Sequence, residues 1–244
     1  MTGLELAYVH ARDIIGSKQA ECLDVAEEVE RLRSAQRPER VRVVLLAESH
    51  VWTSRHDTRS RVTQPDGIET GFARFVYCLG CGEPQLVEPA VAPNKGTPQF
   101  WKLLHDTIYG PTIPHAGVLK TGETDYQKRV QNKLALLKKM QSAGVWLVDA
   151  SVTALYGNGI KLTKSQYRDV LKACWESHIR EVIRGCAPSA VLIVGMGVDF
   201  AIGDRVRQDL GGDVEVVRIY QPNARKFGLV DRLKCFDLCC RYLA

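Results

Sequence analysis

The sequence narrows the possibilities first by what it lacks. None of its apolar runs approaches the roughly 18 residues that a membrane-spanning helix needs, and it has no internal repeat or low-complexity tract. Its first residues do not show the basic and then apolar pattern of a signal peptide, so we expect a cytoplasmic protein without membrane association. A phosphate-binding GxxxxGK segment followed by Ser or Thr is absent, and the Gly195-Met-Gly197 stretch has no third glycine in register. Both absences argue against a nucleotide-binding protein.

Charge of either sign is nearly balanced. Lys and Arg number 33 and Asp and Glu 28, a net charge of +5 that permits binding to nucleic acid without demanding it. The eight cysteines include Cys78 and Cys81, which have metal-ligand spacing, but no second pair follows at a suitable distance. We therefore expect reduced, buried cysteines, no bound metal and no cofactor.

The 244 residues suffice for one sizeable core, so we predict a single domain over residues 1–244. Alternating strand and helix patterns predict the α/β class: a mostly parallel four-stranded sheet with helices on both faces, which makes three layers. The predicted strands are residues 43–46, 145–148 and 190–194, which are apolar runs, and residues 214–220, VEVVRIY. The predicted helices cover residues 18–35, 97–109, 125–142, 163–184, 199–210 and 226–243, and about 1–38 form a helical N-terminal segment. Residues 53–70 are polar and predict a long loop.

Polar residues directly follow three of the predicted strands. Glu48, Ser49 and His50 come after the first strand, Asp149 after the second and Gln221 after the fourth. Because ligands of parallel α/β sheets bind beyond the carboxyl ends of the strands, we predict that these side chains form an active site.

The same strand ends resemble the motifs of the uracil-DNA glycosylase superfamily. Residues 47–50, AESH, stand where that family has GQDPY, GEAPG or GINPG, and residues 146–149, WLVD, stand in place of LLLN. Residues 221–223, QPN, are similar to the family's HPS, and residues 96–108, GTPQFWKLLHDTI, to its proline-rich segment. The resemblance covers residues 41–227. It implies a uracil-DNA glycosylase-like fold and an enzyme that acts on a base flipped out of double-stranded DNA.

Catalytic roles follow from the resemblance for three residues. Glu48 matches the glutamate of the GEAPG-type branch, which implies the anion that faces the sugar and positions the water. Asp57 and Asp66 in the loop are alternatives for that carboxylate. Gln221 replaces the family histidine that donates to O2 of the base, and His50 would bind phosphate or substrate. Structural explanations compete: a salt bridge for Glu48, a simple turn for the Gln221 motif and an incidental place for His50.

The base-reading residue of the family is an asparagine, whereas this sequence has Asp149. An ionised carboxylate only accepts hydrogen bonds, and a protonated one also donates one. A protonated Asp149 would accept from the amino group of cytosine and donate to its N3, and an ionised Asp149 would suit a cytosine that is protonated at N3. Both forms leave polar groups of uracil unpaired, so we predict a cytosine-type base. The alternative is that Asp149 caps the next turn through Ser151 or Val152.

Further positions around the base follow from the same resemblance. Phe75 best matches the stacking aromatic, with Phe72 and Tyr77 as competitors. Ala47 and Ser49 are also implied as base-binding residues.

The family tyrosine that closes the pocket against a 5-methyl group has no counterpart here. His50 and Val51 occupy that region, so the pocket would admit a substituent on C5, which the polar loop at 53–70 could contact. The expected substrate is therefore 5-hydroxymethylcytosine or its glucosylated form, as in some phage DNA, which suggests a role in antiviral defence.

Contacts to the DNA backbone and duplex are implied near the last two motifs. Ser151 and Asn223 stand at positions that contact phosphates. Arg225, Lys226 and Phe227 follow the last motif, where family members push a side chain into the duplex. The alternative is that these three residues are an exposed start of the final helix.

Two other functions stay open at this point. One is excision of uracil or a deaminated purine, and the other is a catalytically silent module that binds DNA with modified bases. Replacing Glu48 by Gln separates an enzyme, which loses turnover, from a binder, which does not. Since no lysine stands at a strand end as a Schiff-base nucleophile, we expect a monofunctional glycosylase. We also expect a monomer, because no heptad pattern is present.

Overall fold

The computed structural model describes residues 1–65, 67, 69–92 and 94–243, with residue 243 described in its backbone alone. Asp66, one of the two loop carboxylates considered above, lies outside the described residues. Within them the strands are β1 (Val43–Ala47), β2 (Arg61–Thr63), β3 (Glu69–Gly71), β4 (Val87–Glu88), β5 (Val145–Asp149), β6 (Ala190–Val194) and β7 (Glu215–Ile219). The α-helices are α1 (Gly3–Ile15), α2 (Leu23–Ala35), α3 (Pro98–Tyr109), α4 (Tyr126–Ala143), α5 (Lys164–Cys174), α6 (Arg180–Arg184), α7 (Met196–Leu210) and α8 (Leu229–Leu243).

Four strands form the central sheet in the order β5-β1-β6-β7. Every pair is parallel, and Val43 in β1 lies opposite Val145 in β5 and Ala190 in β6. Strands β1, β5 and β6 are buried along their whole length, which explains why they read as continuous apolar runs rather than as alternating ones. The predicted four-stranded sheet is confirmed, and it is entirely parallel.

Helices surround this sheet in an arrangement consistent with a three-layer α/β sandwich. Helix α3 contacts α4 and α8, which reach β5 and β1, respectively. Helix α7 packs on β6 and β7 and contacts α5, which in turn contacts α1. In the part of the chain that the structure describes, no helix is both long and apolar enough to cross a membrane.

Local signals determine several helix ends as predicted. The Asp125 side chain accepts two backbone N–H groups at the start of α4, and Gly144 ends that helix with a φ of 73°. Thr163 forms a capping box at the start of α5. A π-helical turn at Trp175–Ile179 connects α5 to α6, so the predicted helix over 163–184 is one helical segment with a local change of pitch.

Three predicted helix starts are wrong. The helix predicted from residue 18 begins at Leu23, because the backbone turns back onto the Gly16 carbonyl before it. The helix predicted from 199 begins at Met196, directly after β6. The final helix begins at Leu229 rather than 226, because residues 221–227 form two successive turns.

The segment predicted as a long loop, 53–70, contains regular structure. A short 3-10 helix covers Asp57–Arg59, and β2 pairs with both β3 and β4 in a small antiparallel sheet. Each of these strands has at most three residues, which is too short for an alternating pattern to be visible in the sequence. The loop prediction is therefore wrong in part.

Candidate active site

Glu48 lies at the carboxyl end of β1, where three neutral groups donate hydrogen bonds to its carboxylate. The Tyr167 hydroxyl is 2.5 Å and the Tyr156 hydroxyl 3.1 Å from Oε1, and the Gln221 amide is 2.8 Å from Oε2. Burial, followed by the charge of Glu48, raises the pKa of both tyrosines, so both remain protonated donors. Three donors therefore hold this one carboxylate in place.

The salt-bridge explanation for Glu48 does not hold among the described residues. Their ion pairs do not include Glu48, and its partners are two hydroxyls and an amide. The carboxylate is half-buried and borders two cavities. Glu48 is therefore an anion held in place by neutral donors and open to a cleft, which is the arrangement that a water-positioning carboxylate requires.

His50 lies under the site rather than at its surface. Its ring is buried, with Nε2 2.8 Å from Oε2 of Glu21 and Nδ1 3.7 Å from Oδ2 of Asp149. Burial lowers the pKa of His50, but the negative charges of Glu21 and Asp149 and the hydrogen bond to Glu21 outweigh it and raise the pKa to about 10. The ring is thus an imidazolium between two carboxylates. This position differs from the expected phosphate contact, because the side chain has no solvent-exposed surface.

Glu21, in the turn before α2, anchors the strand ends to the N-terminal segment. Besides His50, its buried carboxylate accepts the backbone N–H groups of Thr53 and Ala154, at 2.5 and 2.8 Å. Arg33 from α2 is also buried, and its guanidinium is 3.5 Å from the Asp149 carbonyl. The N-terminal helical segment is therefore part of the site and not an appendage.

Asp149 ends β5 with a carboxylate that is only 2% exposed and incompletely paired. Its Oδ2 atom has no hydrogen-bond partner among the described residues, since His50 is beyond hydrogen-bond distance. The capping alternative is not realised either, because the Ser151 N–H donates to the Glu48 carbonyl. A buried, unpaired acceptor is unfavourable on its own and is suited to a ligand that donates.

Asp149 and Phe75 line a small inner cavity, together with Leu147, Val76 and Phe100. It encloses about 30 Å³, enough for about one water molecule and not for a base. An outer cavity of about 260 Å³ lies between the first and last motifs. The two cavities share the lining residues Ser49, His50, Val51, Gln99 and Phe100. A base can enter the inner cavity only if some of these shared side chains move outward.

The three aromatic residues predicted near the base have different surroundings. Phe75 lines the inner cavity, with its ring 5.2 Å from Tyr77 and 6.5 Å from His50. The Tyr77 hydroxyl accepts the Leu147 N–H at 2.8 Å and is thereby committed to the core. Phe72 is fully buried and does not line the pocket. Of the three aromatic residues, only Phe75 therefore lines the inner cavity.

Two of the predicted contact residues are inside the protein. Ala47 is fully buried, and its carbonyl accepts the Ala150 N–H at 2.7 Å, so it supports the site from below. Ser151 is also fully buried, and its hydroxyl donates to the Thr153 carbonyl at 2.7 Å. In this conformation neither residue reaches a base or a phosphate. Ser49 differs, since it lines both cavities.

The segment after the last motif is largely exposed. Asn223, Arg225 and Lys226 are exposed, but Phe227 packs against the core. The exposed apolar side chains are instead Leu229 and Val230, which begin α8. An apolar wedge into a duplex would therefore come from Leu229 or Val230 rather than from Phe227.

The other candidate ligands are committed to protein contacts. Asp57 is buried and pairs with Arg74 at 3.1 Å. Burial raises the pKa of Cys78 to about 11 and that of Cys81 to about 12, so both thiols are protonated at neutral pH.

One cluster of metal-ligand type occurs among the described residues: His105, Asp106 and His115. The Asp106 carboxylate, however, forms a bidentate ion pair with Arg232, at 2.6 and 2.9 Å. The guanidinium already neutralises this carboxylate and would repel a cation placed on it. The cluster is therefore explained as a buried ion pair.

Sequence reasoning missed Glu21, Tyr156 and Tyr167. Glu21 falls in a predicted amphipathic helix, where glutamates are usually exposed, and no local signal distinguishes it. Tyr156 follows β5 by seven positions, and Tyr167 is in α5, so their meeting at Glu48 is a consequence of the fold alone. No protein-family model matches the chain, and no curated protein matches it.

Proposed function

We propose that this protein is a monofunctional DNA glycosylase that hydrolyses the N-glycosidic bond of a flipped, 5-substituted cytosine. One observation carries the proposal: a buried Asp149 oxygen without a hydrogen bond lines the inner cavity, and the firmly held carboxylate of Glu48 lines the outer cavity that adjoins it. The first suits a base that donates a hydrogen bond, and the second suits a sugar that becomes positively charged. The motif resemblance to uracil-DNA glycosylases supports the same reaction.

Base recognition rests on the charges around Asp149. The imidazolium of His50 places a positive charge 3.7 Å from Oδ2 of Asp149. An ionised Asp149 accepts from the exocyclic amino group and from N3 of an N3-protonated cytosine. Uracil would present its O4 acceptor to the same oxygen, and two facing acceptors disfavour binding by about 1–3 kcal/mol.

Hydrolysis requires one water molecule and Glu48. The water oxygen bonds to C1′ while the bond from C1′ to the base nitrogen breaks, and the electron pair of that bond goes to the base. The water proton goes to the Glu48 carboxylate. A proton on N3 of the base reduces the negative charge that develops there. Gln221 uses one amide hydrogen to hold Glu48, which leaves the other for O2 of the base.

A cationic cavity beside the pocket supports DNA as the partner. It encloses about 470 Å³, and the exposed residues Lys95, Lys102 and Lys120 line it. Thr97 lines both this cavity and the inner pocket, and its buried hydroxyl has no hydrogen-bond partner among the described residues. Lysines and a free hydroxyl donor are suited to the phosphates of the strand that enters the pocket.

Room for a C5 substituent comes from the outer cavity. Val51 stands where the family has an occluding tyrosine, and it is 46% exposed. A hydroxymethyl group, or a sugar on it, would extend past Val51 into the outer cavity of about 260 Å³. This accounts for 5-hydroxymethylcytosine or its glucosylated form as the proposed substrate, and with it for a role in defence against phages that carry such DNA.

Base release tests the proposal directly. DNAs of one sequence that carry uracil, cytosine, 5-hydroxymethylcytosine or the glucosylated base are incubated with the protein, and free bases are identified by mass spectrometry. Release of a 5-substituted cytosine is expected. Preferred release of uracil would overturn the assignment of the base. Specific binding of modified DNA without release from any substrate would instead support the second candidate, a non-cleaving reader, which the departures from the family motifs leave open.

A further inference from the structure

A large groove lies on the far side of Glu48 from the base pocket. It encloses about 940 Å³ between the segment after β5, the start of α7 and the residue that follows β7. Glu48, Tyr156 and Gln221 line this groove and the outer cavity alike. A ligand in the groove would therefore lie next to a substrate in the outer cavity.

The groove presents aromatic rings to solvent. Phe200 is 82% exposed and Tyr156 is 58% exposed, and Tyr220 is half-buried beside them. Phe200 lies in α7 between Val198 and Ile202, which are both buried. Its side chain therefore points away from the face of α7 that packs against the protein. Rings exposed to this degree around a cleft are typical of a binding surface.

Positive charge accompanies these rings. Lys161 and Lys164 line the groove and are exposed, and the Lys226 ammonium lies 5.9 Å from the centre of the Tyr220 ring. The acidic side chain in the lining is Glu48, whose oxygens are already held by three donors. The groove thus combines stacking surfaces with cations, which complements a polyanion that has exposed flat rings.

Single-stranded nucleic acid has this chemistry. Its unpaired bases offer faces for aromatic stacking, and its phosphates attract lysines. A duplex offers the same phosphates, but its base faces are stacked on one another and cannot reach Phe200 or Tyr156. The charges alone would suit either form, so the exposed rings decide between them.

We propose that this groove binds unpaired nucleotides next to the target base, on the strand that carries it. The inference rests on the proposed function, because it takes the cleft at Glu48 as the site of the target nucleotide. It assigns the protein a preference for single-stranded or locally opened DNA. The groove then holds the neighbours of the flipped base while the inner cavity receives the base itself.

Binding of DNA that contains no target base tests the groove independently of catalysis. Fluorescence anisotropy measures the Kd for a labelled single strand and for the matching duplex, with the wild-type protein and with Phe200→Ala. The wild type should bind the single strand more tightly. Phe200→Ala should weaken single-strand binding about 5- to 150-fold, the range that corresponds to one stacked base, and should leave duplex binding almost unchanged.

A matched control is Ile113→Ala, which removes an exposed apolar side chain that is not in the groove lining. Lys161→Gln with Lys164→Gln should reduce the salt dependence of single-strand binding. Equal wild-type affinity for both DNA forms, or equal single-strand affinity of Phe200→Ala and Ile113→Ala, would overturn the groove assignment.

The outcomes separate this inference from the proposed function. If single-strand binding depends on Phe200 but no base is released from any DNA, the glycosylase proposal fails and the groove assignment stands. If base release occurs and single-strand binding does not depend on Phe200, the groove assignment fails and the glycosylase proposal stands.

A second measurement uses 2-aminopurine placed next to the target base. Its fluorescence should be quenched on binding to the wild type and not on binding to Phe200→Ala.

Discussion

Gln221, after β7, donates a hydrogen bond to Glu48, after β1, across the carboxyl end of β6. The amide nitrogen is 2.8 Å from Oε2, although β7 and β1 are not neighbours and β6 lies between them. The crossing requires a glycine at the end of β6, because a Cβ on Gly195 would lie 2.9 Å from the Gln221 side chain. Gly195 also has a φ of 123°, which favours glycine. The glycine after β6 thus lets the last motif reach the first.

Glu48→Gln should abolish base release and preserve DNA binding. The substitution keeps the shape of the side chain but removes the anion that faces the sugar and accepts the water proton, so we expect a decrease of about 100- to 10,000-fold in single-turnover rate. Binding is measured by anisotropy on the same substrate. Glu39→Gln changes an exposed glutamate and is the control. Turnover at the wild-type rate would show that another group activates the water.

The two tyrosines that hold Glu48 should act on the rate and not on affinity. Tyr167→Phe and Tyr156→Phe each remove one donor to the carboxylate, and a hydrogen bond to a charged group contributes about 1.5–3 kcal/mol. We expect kcat to fall about 10- to 100-fold with little change in KM, and the effect of Tyr167→Phe to be larger because its bond is shorter. Tyr109→Phe, at another exposed tyrosine, should change neither value.

A positioning role and a merely structural role differ in whether the effect depends on Glu48. If the Tyr167 hydroxyl acts through Glu48, Tyr167→Phe should lower the single-turnover rate of the wild type but not that of Glu48→Gln. A further decrease of this rate in the double variant would contradict positioning of Glu48 by this hydroxyl.

Much of this site could be predicted because parallel sheets concentrate polar residues at their carboxyl ends. Glu48 and Asp149 each follow a continuous apolar run, which is easily recognised in a sequence, and Gln221 follows a strand of mixed polarity, VEVVRIY. Strands β1 and β5 are buried along their whole length, which explains why their sequences are continuous apolar runs. The order of the strands places the three residues at one edge without any knowledge of side-chain contacts.

The supporting residues could not be predicted, because their roles depend on contacts distant in the chain. Glu21 is 29 positions from His50 and 133 from Ala154, yet it binds both. Its sequence neighbourhood is that of an ordinary amphipathic helix. The burial of Ser151 and the core packing of Phe227 are also invisible in the sequence, since serine and phenylalanine near a turn occur both inside and outside proteins.

Asp149→Asn should shift the preferred base from cytosine-type bases toward uracil. The amide supplies a donor for O4 and an acceptor for N3–H, whereas the carboxylate offers acceptors alone. One mismatched buried hydrogen bond corresponds to about 1–3 kcal/mol, so the ratio of the two release rates should change by at least about 5-fold. Competition between the two DNAs in one reaction measures this ratio. An equal decrease of both activities would mean that Asp149 supports the fold and does not read the base.

His50 should remain charged through the neutral range. Because Glu21 and Asp149 raise its pKa to about 10 against burial, its ring resonances should not titrate between about pH 6 and 8.5 in NMR spectra, where an unperturbed histidine would. His50→Gln identifies the resonance by its absence. A midpoint near the ordinary histidine value would show that the ring is neutral and that Asp149 has no charged neighbour on this side.

The same raised pKa predicts how stability depends on pH. A histidine whose folded pKa exceeds its unfolded value contributes stability that is complete below about pH 6.5 and is lost as the pH rises toward 10. The free energy of unfolding in urea should therefore fall across this window by up to about 1.4 kcal/mol per pH unit from this one proton. A curve that rises with pH over the same range would exclude the imidazolium.

Lysines of the cationic cavity should set affinity for DNA without setting the choice of base. For a duplex, each phosphate contact that is lost lowers the slope of log Kd against log salt by about 0.9. Replacing Lys95, Lys102 and Lys120 by Gln should therefore lower this slope by up to about three times that amount. The ratio of release rates for different bases should stay constant, because this cavity and the inner pocket share Thr97 but none of these lysines. Replacing exposed lysines that do not line the cavity, Lys138, Lys139 and Lys234, controls for net charge. An equal change of slope in both triple variants would mean that overall charge, and not this cavity, attracts the DNA.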